Sequence, residues 1–471
     1  MVVRPASPHV SPPSPISSAS SSSPTSSSRR LPSLVLCADG GGSKVHVCIR
    51  TSDGLEVRGT AGPCNVSSVG HALAVQRLLL ATYRALACLP PSHLPSTFQH
   101  PLLPSDSLSM SSSFHIPTPN KADVTPYASH TQTPQPSRPS SPSTSATMPS
   151  LNVPLFAAIW LGLAGLQTPA NAAAFTPKVC KAFNAPLDRV RLTNDVILLA
   201  APVLSRQEFN YVAAVVCGTG TVGRTIRLDR QESHGIGLEV VGYSRGWGHL
   251  LCDEGSAFFL GRAALRSILF ALDRSNSSHL FATKPDPIST PTFSTPLPLH
   301  RDLLAYFATP DPADLIGLVS LSGPGVEGVE VGEAVGKRNA LVAGAARVIL
   351  RWAFPEEQTP SSPSPPSPPI EQDQGELAKA SREEALRLAQ ECISPLIELT
   401  LALLGDGSVV KPQETALALG GGLMMSPGYR GLLLTGLKAR GVEFGSVGVV
   451  SDAAGVGARG LAAVEFGLDR H

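Results

Sequence analysis

Tyr211-Val-Ala-Ala-Val-Val-Cys-Gly-Thr-Gly-Thr-Val-Gly-Arg-Thr-Ile-Arg-Leu228 is the stretch on which the fold turns. An apolar run from Tyr211 to Cys217 meets the turn Gly218 to Gly220. Thr221 to Leu228 then continues with Val222, Ile226 and Leu228 on one parity. Gly218-Thr-Gly-Thr-Val-Gly223 formally fits the Gly-x-Gly-x-x-Gly fingerprint of a dinucleotide fold, but that fingerprint requires a helix to open at the last glycine. Here a strand follows. The unit is therefore strand, glycine turn, strand, with backbone N–H groups bare of Cβ cover and suited to an anion. The same unit occurs earlier: Leu34 to Ala38 is apolar, Asp39-Gly-Gly-Gly-Ser-Lys44 is a glycine turn, and Lys44 to Arg50 alternates with Val45, Val47 and Ile49 on one face. Two such grips, one per half, suit a nucleotide clamped between two lobes. Asp39 offers a carboxylate to Mg2+, held through water, because a hard cation bridging phosphates prefers oxygen. Gly332-Glu-Ala-Val-Gly-Lys-Arg338 is one residue short of a Walker loop and lacks its Ser/Thr.

Working outward, Thr51-Ser-Asp-Gly54 is a turn before a third strand, Leu55 to Thr60, and Ala72 to Leu89 is a helix stopped by Pro90-Pro91. Leu155 to Leu161 reads as a buried strand and Gln167 to Phe183 as a helix. Val190 to Thr193 is a strand delivering Asn194 and Asp195 at its carboxyl end, where open α/β sheets place their ligands. Helices are expected over Ser256 to Leu272, Leu315 to Leu321, Ala340 to Phe354 and Glu376 to Leu404, with a glycine-rich loop between the second and third. The end reads as strand Thr415 to Leu419, turn Gly420-Gly-Gly422, helix Tyr429 to Ala439, strand Val447 to Val450, and a closing helix, Ala454 to Gly467. An α/β chain of two lobes follows, over 34–205 and 206–471, with the closing helix free to pack back on the first lobe. Pro/Ser-rich composition marks a disordered tail over 1–33 and disordered inserts over 90–150, 274–299 and 356–372.

With 44 prolines in 471 residues, the chain cannot pack throughout, so two domains with inserts fit the length better than three. A net charge of +1 without a basic cluster gives no field for nucleic acid or a membrane surface. The eight cysteines form no Cys-x-x-Cys pair, so reduced cytosolic thiols are expected. Residues 1–33 lack acidic residues, as a mitochondrial presequence does, yet their prolines oppose the amphipathic helix such a signal needs. The longest apolar stretch, Leu155 to Leu166, is too short to span a bilayer. A soluble, cytoplasmic protein is expected.

Asp39-Gly-Gly-Gly-Ser43, Gly62-Pro-Cys-Asn65, Thr193-Asn-Asp195, Gly218-Thr-Gly220, Gly246-Trp-Gly-His249 with Asp253-Glu-Gly-Ser256, and Gly420-Gly-Gly422 occur in that order. This series resembles the N-acetylglucosamine kinases, of the BadF/BadG/BcrA/BcrD group in the actin-like ATPase and sugar kinase superfamily. The likeness spans roughly residues 34–89, 151–272 and 305–466, and the Gly-Trp-Gly-His to Asp-Glu-Gly-Ser block is its most specific part.

The resemblance implies two actin-like (ribonuclease H-like) lobes around an ATP cleft, and transfer of the γ-phosphate of MgATP to the 6-hydroxyl of N-acetylglucosamine. It places Ser43 and Thr219, with Gly41, Gly42, Lys44, Gly218 and Gly220 about them, on the ATP phosphates, and Gly420, Gly421 and Gly422 on the adenosine. Asn65, Gly246, Trp247, Gly248 and Asp253 fall on the amino sugar, and Asp195 on its reacting hydroxyl as base. A homodimer is common in the family. Arg245, where glycine is usual, and Cys252, also in place of a glycine, bear on sugar preference among N-acetylglucosamine, glucosamine and N-acetylmannosamine.

Each candidate has a plainer reading. Asp195 is suited to cap the following helix, Asp253 to cap the helix from Ser256, and Asn65 to stabilise a turn after Gly62-Pro63. His249 reads as a hydrogen-bonded structural histidine, and Cys217 and Cys252 as inert thiols. Two rival functions remain: an ATPase that activates a reductase through an iron-sulfur cluster, for which no convincing cysteine pair stands in corresponding loops, and a non-catalytic amino-sugar sensor.

Overall fold

Two five-stranded sheets are built on one plan. In the first, β1 (Leu34–Gly40), β2 (Val45–Thr51) and β3 (Glu56–Ala61) form an antiparallel meander; α1 (Val66–Leu86) leads to β4 (Phe156–Leu163), which lies parallel to β1, and α2 (Pro169–Phe183) leads to β5 (Val190–Thr193), parallel to β4. The strand order is β3-β2-β1-β4-β5. A 3-10 helix, Asp195–Val203, follows β5.

In the second sheet β6 (Tyr211–Cys217), β7 (Thr221–Asp229) and β8 (Gly237–Arg245) repeat the meander. Among the described residues six α-helices follow: α3 (Ala257–Asn276), α4 (Pro298–Tyr306), α5 (Leu315–Val319), α6 (Val331–Gly344), α7 (Ala346–Ala353) and α8 (Gln372–Ala402). Then come β9 (Thr415–Gly420), α9 (Pro427–Ala439), β10 (Ser446–Val450) and α10 (Ala453–Phe466). The order β10-β9-β6-β7-β8 mirrors the first sheet strand for strand. This duplicated α/β architecture is the two-lobed actin-like fold.

The structure is a computed structural model and describes residues 31–42, 44–101, 147–166, 168–204, 206–229, 237–245, 247–251, 253–277, 297–320, 328, 331–357 and 372–467. From Pro32 onward the chain forms one compact unit. Among the described residues no helix is long and apolar enough to cross a membrane.

Each lobe has its own core, and a third core joins them. In the joining core Val35, Cys37, Cys48 and Trp160 of the first lobe meet Val212, Ala214 and Ile226 of the second. The connectors are exchanged: Asp195–Val203 packs against β6, β7 and β9, while α10 packs against β1 and β2. Each fully buried Val, Leu or Ile side chain in this layer contributes on the order of 1.5–3 kcal/mol to holding the lobes together.

Several expectations need correction. The expected insert over 90–150 is folded at both borders. Pro91–His93 is a 3-10 turn, Phe98 and His100 pack on Tyr83, and the Tyr83 hydroxyl donates to the Pro149 carbonyl at 3.0 Å. Aromatic and apolar side chains at the edges of a polar tract found a place on the core, which composition averaged over the tract conceals. Ser33, placed in the tail, is tied to Ser52, whose N–H donates to the Ser33 carbonyl at 2.8 Å. Arg274 to Asn276 belong to α3, Pro298 opens α4, Pro355–Glu357 is a 3-10 turn and Gln372 opens α8, so the other two inserts are shorter at both ends. The remainder of the tail and inserts, 1–30, 102–146, 278–296 and 358–371, lies outside the described residues. The end of the expected glycine-rich loop before Ala340 is helix α6, and β8 and α4 are further elements.

Candidate active site

The carboxyl ends of β1, β4 and β5 meet at one point. In register, Asp39 pairs with Gly162, and Gly162 with Thr193, two residues before Asp195. A Cβ on Gly162 would lie 3.2 Å from the Asp195 Cα, so the bare glycine lets the Asp195 backbone close on β4 beside Asp39. Buried Trp160 on β4 steadies this corner, its indole N–H donating to Thr193 Oγ1 at 3.0 Å.

From the other lobe, the turn Gly218 to Gly220 is fastened to the start of α3. Ala257 N–H donates to the Gly218 carbonyl at 2.9 Å and Phe258 N–H to that of Thr219 at 3.2 Å. Gly421, at φ +88°, carries Gly420 to Gly422 against this turn, where a Cβ would collide with the Cys217 carbonyl. Gly421→Ala is therefore expected to cost about 3 kcal/mol from combined left-handed strain and overpacking. Urea unfolding checks this, and an unchanged midpoint would mean that the turn has room to yield.

These parts enclose one cleft of about 800 Å³, lined by Asp39, Gly41, Gly42, Asn65, Asn194, Asp195, Gly218, Thr219, Gly220, Gly248, Asp253 and Gly420 to Gly422, among others. Thus one cavity gathers most of the residues singled out in the sequence.

Two described residues stand outside the lining, and a third lines it while also serving as a helix cap. Trp247 is 68% exposed and stands outside the cleft lining, next to Gly248, which does line it and has a φ of +86°. Lys44 is also exposed and outside the lining, within electrostatic reach of Asp39. Asn65 lines the cleft, but its Oδ1 accepts from Ser67 N–H at 3.1 Å as the cap of α1. Ser43, Gly246 and Cys252 lie outside the described residues.

The plainer readings can now be weighed. Asn194 caps the helix after β5, accepting from Val196 N–H at 3.2 Å, and Asp195 Oδ1 shares that donor at 3.1 Å while the residue lines the cleft. Ser256, not Asp253, caps α3; Asp253 instead accepts from Thr221 N–H at 3.3 Å, bracing the glycine turn. His249 contacts Asn339 Nδ2 at 3.1 Å and packs edge-on to Phe258, a structural setting. Burial holds the Cys217 thiol well above its ordinary range.

Electrostatics separates two aspartates that the duplication makes equivalent. Asp195 stands two residues past β5, and Asp452 two residues past β10. Burial pushes both up. For Asp452, the Gly455 N–H and the Arg58 guanidinium, the latter at 2.7 Å from Oδ2, outweigh burial and hold the carboxyl below its usual range. Asp195 has no such ion pair, and burial wins over its backbone hydrogen bonds and the attraction of Arg224. Asp39 is pushed up to about 7, first by burial and then by the negative charge of Asp195. Arg224, Asp452 and Trp160 escaped the sequence reading, because each acts through a partner from another strand.

The donor set fits MgATP. Buried carboxylates that repel one another want a cation, and among the described residues no cluster of three His, Cys, Asp or Glu side chains forms a closed metal cage. One or two carboxylates completed by water and substrate phosphates is the usual Mg2+ arrangement. Asp39 would hold it. Thr221 Oγ1, in the cleft wall, is buried without a hydrogen-bond partner, as expected of a group that awaits a ligand or water.

Fold and cleft together define a two-lobed α/β protein with a cleft walled by glycine turns and carboxylates. No protein-family model matches the chain, and no curated protein does. Among solved structures, a provisionally assigned N-acetylglucosamine kinase from Porphyromonas gingivalis is similar over 91% of this chain and 98% of its own, with TM-score 0.51 and 15% identity. A counterpart from Chromobacterium violaceum covers 91% and 99%, with TM-score 0.47 and 16% identity. A non-polymerising MamK mutant bound to AMPPNP covers 93% and 99%, with TM-score 0.41 and 10% identity. At 15% identity the likeness to the Porphyromonas gingivalis protein is one of fold alone.

Proposed function

We propose that this protein is an ATP-dependent sugar kinase that phosphorylates N-acetylglucosamine on its 6-hydroxyl. The observation that carries the reading is the single cleft in which Asp39 and Asp195 of one lobe face Gly218 to Gly220 and Gly420 to Gly422 of the other. The glycine turns would hold the ATP phosphates by backbone N–H groups, with the adenosine along Gly420 to Gly422. Asp253, Asn65 and Gly248 would border the sugar. Bound Mg2+ would neutralise charge on the β- and γ-phosphates, and Asp39 would hold it.

Asp195 accepts the proton of the acceptor hydroxyl as that oxygen bonds the γ-phosphorus. The bond from γ-phosphorus to the bridging oxygen breaks, and its electron pair leaves on ADP. Transfer of this kind passes through a loose transition state, so alignment and charge neutralisation supply most of the rate and the base acts late. Closing the lobes would keep out water, the competing acceptor.

The test is ADP release with N-acetylglucosamine, glucosamine and N-acetylmannosamine, each with and without EDTA. N-acetylglucosamine should stimulate release by about 100-fold or more over sugar-free protein, with EDTA removing the effect. No stimulation by any of the three would end the sugar-kinase reading.

A further inference from the structure

Of the described residues lining the cleft, three are carboxylic acids, Asp39, Asp195 and Asp253, and one is a cation, Arg224. Arg224 lies on β7, directly across from Tyr243 of β8, with its guanidinium 4.8 Å from the centre of that ring. The side chain projects from the sheet face that carries Val222 and Ile226, the face turned toward the first lobe, so it approaches Asp195 from across the seam.

A half-buried guanidinium has five N–H donors to satisfy. Among the described residues, the hydrogen bond Arg224 makes is from Nη1 to the Gly223 carbonyl at 2.8 Å. No ion pair joins it to Asp195, although the two charges attract each other. Asp195 and Arg224 therefore face one another across a gap. A structural arginine at this burial would ordinarily be paired, because a partly desolvated charge without a partner is costly. Stacking on Tyr243, which is 66% exposed, recovers little of that cost.

We infer that Arg224 is a ligand-contacting residue whose guanidinium binds the phosphoryl group as it reaches the acceptor oxygen, and afterwards the phosphate of the product. The inference rests on the sugar-kinase reading. The planar fork of donors matches phosphoryl oxygens, and its fixed positive charge meets the negative charge arriving beside Asp195. In the bond changes already given, Asp195 takes the proton and the ADP oxygen takes the electron pair. Arg224 exchanges no proton or electron and acts by charge and hydrogen bonding alone.

The test compares wild type, Arg224→Met and Arg224→Lys for binding of ADP, N-acetylglucosamine and N-acetylglucosamine 6-phosphate, and for kcat and KM. Arg224→Met is expected to bind ADP and the unphosphorylated sugar within about threefold of wild type. It should lose about 30-fold or more in affinity for the 6-phosphate and about 100-fold or more in kcat. Arg224→Lys, which keeps the charge and loses the fork, should recover part of both. Retained ADP binding shows that the variants are folded. The inference is overturned if Arg224→Met turns over and binds the 6-phosphate as wild type does. It is equally overturned if that variant weakens sugar and sugar phosphate to the same extent, as a purely structural residue would. A wild type that turns over while Arg224→Met is unaffected sinks this inference alone; a wild type inactive on every sugar sinks the kinase reading and this with it.

Discussion

Asp195→Asn is expected to lower kcat for sugar phosphorylation by about 10³-fold while leaving ADP affinity within about twofold. Asparagine keeps the shape of the side chain and can still accept from the Val196 N–H, which Asp195 shares with Asn194. What it cannot do is take a proton. The corner formed by Gly162, Trp160 and Thr193 remains intact, so the glycine turns of both lobes should bind nucleotide as before. Single-turnover phosphorylation with parallel ADP titration measures both quantities. Turnover near the wild-type rate in this variant would remove Asp195 from the mechanism and reopen the question of which group faces the hydroxyl.

Asp39→Asn should produce two opposite effects of comparable size: loss of Mg2+-dependent turnover and a more stable ligand-free fold above neutral pH. The carboxyl of Asp39 sits at about 7 in the folded protein against an ordinary 3.8, because burial and the charge of Asp195 disfavour its ionised form. For a raised acid the sign is fixed: the folded state holds its proton longer, so the Asp39 contribution to stability is fully present below about pH 4 and is lost as pH climbs through about 7. The interval corresponds to ~4 kcal/mol as an upper figure. Urea unfolding in EDTA should therefore show wild type and Asp39→Asn converging near pH 4 and diverging near pH 8, with the variant ahead. Parallel profiles across that range would show that Asp39 is not strained. Saturating MgATP should restore wild-type stability and do less for the variant, since a ligand stabilises only the state it binds.

Much of this site could be read from the chain because its chemistry is local. A strand, a run of glycines and a second strand announce a tight glycine turn by residue order alone, and β5 was recognisable at its observed bounds, Val190–Thr193, from Val190 and Leu192 alternating with polar residues just ahead of Asn194 and Asp195. What escaped was relational. β8 escaped because Glu239 and glycines at 237 and 242 interrupt its alternation, and as an edge strand it leaves Val241 and Tyr243 exposed. α4 opens on Pro298 at the end of a proline-rich tract, where composition points to disorder. The direction of Trp247 depends on one left-handed glycine, and no residue pattern reports which way such a loop throws a side chain. Arg224 and Arg58 gain their meaning only from Asp195 and Asp452, each more than twenty residues distant in sequence.

The exchange of connectors between the lobes has a consequence for how the molecule is made. Val35, Cys37 and Cys48 of the first sheet are roofed in part by Ala454, Ala458 and Leu461, which the chain supplies last. During synthesis the amino-terminal half thus emerges with one apolar flank bare, and several hundred residues must follow before its lid arrives. A chain cut short ahead of Ala453 would lack that lid and leave Val35, Cys37 and Cys48 uncovered on that side.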